Sequence, residues 1–211
     1  MSLPPVFGQW KREVVPDDVM LPRLFLAFRT PIFGSDAYYP ASVAGAVLGL
    51  RNGSRLRRRL VREKQIAAEA MAYTFDLSKG MDILVVDVTA RPGITPEQLE
   101  QEVADEIDLV VRDGVDESEV QRAVALIQTM FVSSMQEAGE RADKLSLFAT
   151  YFGKPEMVNE EVDRYRAVTT ESVNAFIRER LGENNRASLL YVPREENQNE
   201  LAAAGASAEA Q

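Results

Sequence analysis

The sequence IAAEAMAYTFDLSKGMDILVVDVTA, residues 66–90, is the part of this 211-residue chain that says most about its fold. Both halves alternate apolar with polar or small residues, and the second half does so around Asp82, Asp87 and Thr89. A period of two is typical of a β-strand, because successive side chains point to opposite faces. The residues Ser78-Lys79-Gly80 between the halves favour a turn. The stretch therefore predicts a β-hairpin.

Further strands and helices are predicted on both sides of this hairpin. An apolar run at 24–28, closed by Pro31, predicts a buried strand, and ASLLYV at 187–192 predicts a last one. Capping residues and helical spacing predict helices at 36–50, 55–64, 96–112, 116–138, 141–152, 156–165 and 169–182. Because strands and helices are segregated along the chain, we expect an α+β domain. Its architecture would be a two-layer sandwich, with a mostly antiparallel sheet covered on one face by helices.

The domain is predicted to span residues 21–194. Residues 1–20 contain Pro4, Pro5 and Pro16 and are predicted to be an extended lead-in. Residues 195–211 are rich in Glu, Asn, Gln and Ala without an apolar stripe, which predicts a disordered or solvated tail. No Gly-, Pro- or Ser-rich linker divides the part between them.

The chain contains neither His nor Cys. His is the usual general base near neutral pH and the commonest zinc ligand, and Cys supplies thiolate ligands and nucleophiles. A Ser-His-Asp triad, a Cys nucleophile and a His- or Cys-based zinc site are therefore excluded. We expect no catalytic residue, no metal ligand and no cofactor in this chain.

The overall charge argues against two classes of partner. A net charge of −9 repels phosphate backbones, so nucleic acid is not an expected partner. No run of 18 apolar residues is present, so we expect no membrane span. The opening MSLPPVFGQWKREVV lacks the apolar core of a signal peptide, which favours a cytoplasmic location. A targeting signal in a part of the protein upstream of Met1 would change that expectation.

Two charged sets lie on predicted helices. The first favours either binding of an anion or pairing with nearby acids on a solvated face; it consists of Arg55, Arg57, Arg58, Arg59, Arg62 and Lys64. The second is spread around its helix, which favours solubility over metal binding; it consists of Glu97, Glu100, Glu102, Asp105, Glu106 and Asp108. Asp82 and Asp87 lie five apart on one strand, so they should point to opposite faces and form no paired acid–base site.

Seven segments, taken in order, match a known pattern: LPRLFLAFRTP (21–31), YYPASVAGAVLG (38–49), GSRLRRRLVREKQIAAEAMAY (53–73), DILVVDVTARPG (82–93), TPEQLEQEVADEIDLVVRDGVDESEVQRA (95–123), FGKPEMVNEEVDRYRAVTTESVNAFIRERL (152–181) and RASLLYVP (186–193). Together they resemble the C-terminal, non-catalytic domain of the M16 (insulinase/pitrilysin-like) zinc metallopeptidases. The specificity lies in the ordered series and not in any single motif.

The resemblance implies a LuxS/MPP-like metallohydrolase fold. In that family two homologous α+β domains form each half-molecule, and the halves enclose a chamber that holds extended peptides. The zinc site lies on an inverted His-x-x-Glu-His helix of an N-terminal domain. A chain without His is therefore implied to be a companion domain of a zinc-dependent metalloendopeptidase, with zinc in the parent protein or a partner. The implied partners are a sibling M16 domain or subunit and a peptide substrate.

Some family members place an Arg and a Tyr seven residues apart near the Ser-Arg-Leu helix, where the pair steadies the substrate carbonyl. A gap-free count from Ser54 puts these positions at Val61 and Ala68. After a local shift, Arg62 or Tyr73 would take their place, and these two are the substrate-binding candidates. Because the pair is lacking, the resemblance also implies that this domain belongs to the zinc-bearing subunit, with the zinc motif upstream in the uncut gene.

Two other functions stay open. One is an inactive homologue that acts as a structural assembly module without proteolysis, like the core subunits of a respiratory complex. The other is an unrelated small-molecule-binding domain that uses the basic set. An orphaned interface at Leu24, Phe33 or Met130 would allow homodimers of the isolated domain.

Overall fold

The hairpin predicted at residues 66–90 is present in the computed structural model, which describes residues 8–194. It forms one side of a five-stranded sheet with the order β1-β5-β2-β4-β3. Neighbouring strands are antiparallel except for the β1–β5 pair, which is parallel. The strands are β1 (Lys11–Asp17), β2 (Arg23–Thr30), β3 (Ala67–Thr74), β4 (Asp82–Ala90) and β5 (Arg186–Pro193).

Six α-helices and three shorter helical segments are found in the described part of the chain. The α-helices are α1 (Tyr38–Gly49), α2 (Pro96–Asp113), α3 (Glu117–Ser134), α4 (Ala138–Phe152), α5 (Glu161–Arg166) and α6 (Thr170–Arg180). The remaining segments are a π-helix at Arg57–Glu63 and 3₁₀ turns at Pro155–Glu160 and Glu183–Asn185.

The predicted capping residues begin two of these helices. The Thr95 hydroxyl accepts a hydrogen bond from the Gln98 N–H at 3.2 Å and begins α2. Asp116 and Glu119 form a reciprocal capping box at the start of α3. Such caps satisfy N–H groups that have no partner within the helix.

The α+β prediction is confirmed. Helices α1, α2 and α6 contact the sheet and lie over one of its faces. That face supplies the core, because alternate residues of β2 and β4 point into it. Leu24, Leu26 and Phe28 of β2 are fully or almost fully buried there. The strands therefore alternate between a covered and an uncovered face.

Two local features differ from the sequence analysis. Residues 11–17 were assigned to a lead-in outside the domain, but in the structure Lys11–Asp17 is a strand of the sheet. The helix predicted at 55–64 is a π-helix over Arg57–Glu63, with a backbone hydrogen bond from Lys64 N to Arg59 O at 2.8 Å. An i→i+5 hydrogen bond spans one residue more than the i→i+4 hydrogen bond of an α-helix. The tail prediction for 195–211 lies outside the described residues.

Helix α1 approaches strand β3 closely because its last residue is Gly49. A Cβ placed on Gly49 would lie 2.7 Å from the Ala72 Cα and closer still to the Ala72 N and Met71 C atoms. One turn earlier, a Cβ on Gly45 would meet Leu84 Cδ1 at 3.4 Å, an ordinary contact. Only position 49, at the end of α1, therefore requires a residue without a side chain.

Asp82 is a buried carboxylate on the covered face, at the start of β4. Its Oδ1 accepts the Ile83 N–H at 2.7 Å, whereas Oδ2 has no hydrogen-bond partner among the described residues. Its register partner Thr30 also has an unpaired hydroxyl within that part of the chain. Burial raises the pKa of Asp82 from 3.8 to about 6.

Because the pKa of Asp82 is raised on folding, its contribution to the stability of the domain depends on pH. Between pH 3.8 and about 6 the folded chain binds this proton more tightly than the unfolded chain. The contribution of Asp82 to stability is therefore largest below pH 3.8, falls as the pH rises, and stays low above about 6.

None of the helices in residues 8–194 has the length and apolar character needed to cross a membrane.

Candidate functional site: the open face of the sheet

One face of the sheet, which no helix of residues 8–194 covers, is rich in apolar side chains. Phe25 and Ala27 of β2, Ile83 and Val85 of β4, and Leu189 of β5 point to it. A strand with one face in water normally carries polar residues on that face. This face is instead typical of a surface that another molecule covers.

These residues line a shallow groove of about 500 Å³. Tyr73 and Phe75, at the β3 end, form one wall, with their ring centroids 5.6 Å apart. Lys11 and Glu13 of the edge strand β1 form the opposite rim. The side chain of Phe75 is 51% exposed, which is high for an aromatic ring. The groove thus has an apolar floor, aromatic residues on one side and charges on the other.

A fixed ion pair lies further along the same face. The Arg23 guanidinium donates to both oxygens of Asp87 at 2.8 and 2.6 Å. It also lies 4.8 Å from the ring centroid of Phe25, and that ring packs edge-on against Tyr191 at 5.9 Å. The hydrogen bonds that Arg23 donates to Asp87 raise the pKa of Arg23, so its guanidinium stays charged. Asp87 and Asp82 point to opposite faces, as their spacing predicts.

The structure does not bring the two predicted substrate-binding residues together. Tyr73 lines the groove, whereas Arg62 is exposed on the π-helix that precedes β3. Ala67 is the first residue of β3, the strand that follows Arg62. It is separated from Tyr73 by about 20 Å, because the two residues lie six positions apart on one extended strand. Tyr73 therefore lies at the far end of β3 from the end that follows Arg62.

The positions from the gap-free count are occupied differently. Val61 packs partly buried against the core, and Ala68 lies in the irregular stretch of β3 between Ala67 and Glu69. Val61 and Arg62 are consecutive residues of the same π-helix.

The basic set is paired with carboxylates of neighbouring helices. Arg55 donates to both oxygens of Glu119 at 2.6 Å. Lys64 Nζ lies 2.6 Å from Glu102 and 2.7 Å from Glu106. Arg55, Arg58, Arg59 and Lys64 are thus paired with carboxylates, which favours the pairing interpretation over the small-molecule hypothesis for these four residues.

The acidic set on α2 is engaged in the same way. Glu100 accepts hydrogen bonds from Arg12 and from the Ser188 hydroxyl, and Asp108 accepts one from Arg186 at 2.8 Å. In residues 8–194, no three acidic side chains converge in a way that could hold a metal ion. With no His or Cys in the sequence, the side chains of residues 8–194 therefore do not fit a zinc ion.

Two residues expected at an orphaned interface are buried instead. Leu24 is one of the β2 residues that face the helices, and Phe33 packs against Tyr38 with ring centroids 5.1 Å apart. Met130 is 38% exposed on α3, as expected.

Sequence reasoning missed most of the groove residues, among them Phe25, Phe75 and Ile83. A usable pattern was present, because the runs LFLAF and ILVV are apolar at consecutive positions and not at alternate ones. Uninterrupted apolar runs are typical of strands covered on both faces. The second apolar face was thus visible in the sequence.

The fold and the site define a class: an α+β domain whose sheet has one helix-covered face and one apolar face that is open among the described residues. The chain belongs to the peptidase M16 inactive domain family, whose model matches residues 2–127. It is 26% identical over 185 residues to an uncharacterized zinc protease of Mycobacterium tuberculosis and to one of Mycobacterium bovis. The match covers 88% of this chain and 42% of each relative, so the chain spans less than half their length.

Solved structures share the fold at low sequence identity. A protease from Helicobacter pylori superposes with a TM-score of 0.79 at 16% identity, over 90% of this chain and 46% of that one. An inactive peptidase domain from Bordetella parapertussis gives a TM-score of 0.75 at 19% identity, over 86% of this chain and 97% of that one.

Proposed function

We propose that this chain is the non-catalytic domain of a zinc-dependent peptidase and forms one wall of its peptide chamber. In this proposal the open sheet face lies against the enclosed space, and the rest of the chamber belongs to a zinc-bearing M16 domain or subunit. The observation that carries the proposal is the apolar open face. Membership of the inactive-domain family and relatives named zinc proteases support it.

The groove suits an extended peptide chemically. Its floor of Phe25, Ile83 and Leu189 offers apolar contact to side chains of varied shape. The charged rim offers a peptide backbone a hydrogen-bond donor at Lys11 and an acceptor at Glu13. Such a surface holds a peptide without selecting one sequence. Tyr73 is the predicted substrate-binding residue that lies on it, and Arg62 contacts substrate only if a different part of the peptide reaches the π-helix.

Zinc is assigned to the sibling domain, since this chain has no His or Cys to ligate it. The role of this chain is then to hold the peptide and to exclude water around it, which does not require a catalytic side chain. We also propose a cytoplasmic location, which fractionation of cells that carry the full-length protein would test.

The test is a charge placed in the groove of the full-length, zinc-bearing protein. Phe75→Lys puts an ammonium on the apolar wall, and Val132→Lys is the matched control, because both side chains are 51% exposed and Val132 lies on α3, away from the groove. We expect kcat/KM for an unstructured peptide to fall at least about tenfold in Phe75→Lys and to stay unchanged in the control. Zinc content should be the same in both.

Three outcomes decide between the readings. Unchanged cleavage in Phe75→Lys would contradict a role for the open face in peptide binding. The full-length protein could instead contain no zinc and cleave no peptide, while Phe75→Lys still releases the sibling domain. That combination would identify a structural assembly module. Sedimentation of the isolated chain shows whether the open face also supports homodimers, which Phe75→Lys should then dissociate.

A further inference from the structure

The π-helix Arg57–Glu63 determines which arginines of the basic set lie next to each other. In an α-helix, residues five positions apart lie about 140° apart around the helix axis. In a π-helix the N–H of residue i+5 bonds to the carbonyl of residue i, so Arg62 lies one turn above Arg57. The π-helical turn therefore places these two arginines on the same side of the helix.

Arg57 and Arg62 lack the carboxylate partners that most of the basic set has. In residues 8–194 neither side chain takes part in an ion pair or a hydrogen bond. Glu63, the acidic residue of the π-helix, accepts a hydrogen bond from Arg59 at 2.8 Å and lies 3.8 Å from Arg58. Glu63 is therefore already engaged. Arg62 is exposed and Arg57 is half-buried, so both are open to a ligand.

A third cation lies at the end of the π-helix. Arg91 follows β4, and its guanidinium donates to the Ala67 carbonyl at 3.2 Å and to the Val61 carbonyl at 3.3 Å. Both acceptors are neutral, and Arg91 has no carboxylate partner in the described part of the chain. The Val61 carbonyl belongs to the peptide bond that joins Val61 to Arg62. Together with Arg57, these residues leave three positive charges uncompensated.

This uncompensated positive charge stands out in a chain of net charge −9. Elsewhere Arg12, Arg23 and Arg186 are paired with carboxylates. An exposed cationic surface on an acidic protein fits an anionic partner, and the planar guanidinium fork matches a carboxylate. A long polyanion would extend onto the acidic remainder of the surface and be repelled. A short acidic segment is therefore the better match.

We propose that Arg57, Arg62 and Arg91 bind a short acidic segment of a polypeptide through the carboxylates of that segment. That the ligand is a polypeptide rests on the proposed function, whereas its acidic character rests on the three uncompensated guanidinium groups. This surface precedes the end of β3 that lies about 20 Å from Tyr73, so it is separate from the aromatic wall of the groove. It adds selectivity for acidic residues to a domain whose groove selects no sequence.

The test is an NMR titration of the intact, ¹⁵N-labelled 211-residue chain with three probes. The acetylated and amidated peptide Ala-Glu-Ala-Glu-Ala presents two carboxylates, its Gln counterpart presents none, and inorganic phosphate presents an anion without a polypeptide. In about 0.1 M salt the Debye length is about 10 Å, so arginines in contact act on the peptide while distant carboxylates are screened. We expect the Glu peptide to bind at least about tenfold more tightly than either other probe.

Substitutions identify the arginines that bind. Arg57→Gln and Arg62→Gln should each weaken binding of the Glu peptide about fivefold or more, without changing binding of the Gln peptide. Arg178→Gln is the matched control and should leave binding unchanged, because Arg178 is exposed on α6 and has no ion pair within residues 8–194. Phe75→Lys, which tests the proposed function, should also leave binding of the Glu peptide unchanged, so the two proposals can fail separately.

Equal affinity of the Glu and Gln peptides for the unsubstituted chain would overturn the proposal, and this comparison requires no variant to fold. Equal weakening by Arg62→Gln and Arg178→Gln would reduce the effect to net charge and overturn it as well. Phosphate that binds as tightly as the Glu peptide would show a general anion site, which contradicts a docking surface for a polypeptide.

Discussion

Replacing Gly49 by Ala should destabilise the domain strongly, because α1 and β3 pack backbone to backbone at this point. The new Cβ would lie 2.7 Å from the Ala72 Cα, whereas an ordinary contact begins near 3.4 Å. Because the Ala72 N and Met71 C atoms would be closer still, helix and strand would have to separate by more than an ångström. A gap of that size forfeits roughly half of the dispersion attraction between the facing atoms.

The magnitude follows from two opposing effects. Ala is favoured over Gly in a helix by at most about 1 kcal/mol, and overpacking a core costs about 1–3 kcal/mol, or more where backbone cannot move. We therefore expect Gly49→Ala to lower the free energy of unfolding by about 2 kcal/mol or more. Gly45→Ala, one turn earlier, has room beside Leu84 and should change stability by no more than about 1 kcal/mol in either direction.

Urea denaturation of the isolated chain measures both variants, with circular dichroism to confirm that each is folded at the start. The informative quantity is the difference between the two midpoints at equal slope. If Gly49→Ala matched Gly45→Ala in stability, the close approach of α1 to β3 would not exist as described.

Three further predictions concern buried and capping groups. Asp82→Asn should raise stability at pH 7 by up to about 3 kcal/mol, because the pKa of Asp82 is about 6 in the folded chain and 3.8 in the unfolded chain. This advantage should disappear toward pH 4. Denaturation at several pH values measures it, and a difference that does not change with pH would contradict it. Burial alone would raise the pKa of Glu119, but hydrogen bonds led by Arg55 lower it, so Glu119→Gln should cost stability at pH 7 and progressively less as the pH falls below 4.5; a constant cost would contradict the ion pair. Thr95→Ala should cost about 1 kcal/mol by the same denaturation assay, and no cost would mean that the cap is not formed in solution.

The sheet was predictable where side chains alternate, and less so elsewhere. Strands β2, β4 and β5 carry apolar runs with clear boundaries, so pattern and structure agree. Strand β1, KREVVPD, is charged and contains Pro16, and its four leading residues are exposed. It belongs to the sheet because β5 offers a free edge, which is a property of the assembled fold and not of the segment.

The π-helix and the contact between Tyr39 and Glu161 were beyond sequence reasoning for a different reason. Spacing of apolar residues indicates a helix at 55–64 but does not distinguish an i→i+5 hydrogen bond from the α-helical one. Tyr39 and Glu161 are hydrogen-bonded to each other across 122 positions of sequence. Propensity and periodicity are local, so a contact of this range cannot be read from them.

The pairing of β1 with β5 has a consequence for how the chain is made. Lys11 lies beside Ala187, so β1, the first strand of the described residues to be synthesised, pairs there only with β5, the last one. Until β5 emerges, β1 has no partner and β2 presents an unfilled edge to other nascent chains. Synthesis from the N-terminus therefore leaves this domain exposed to wrong strand pairing for nearly its whole length.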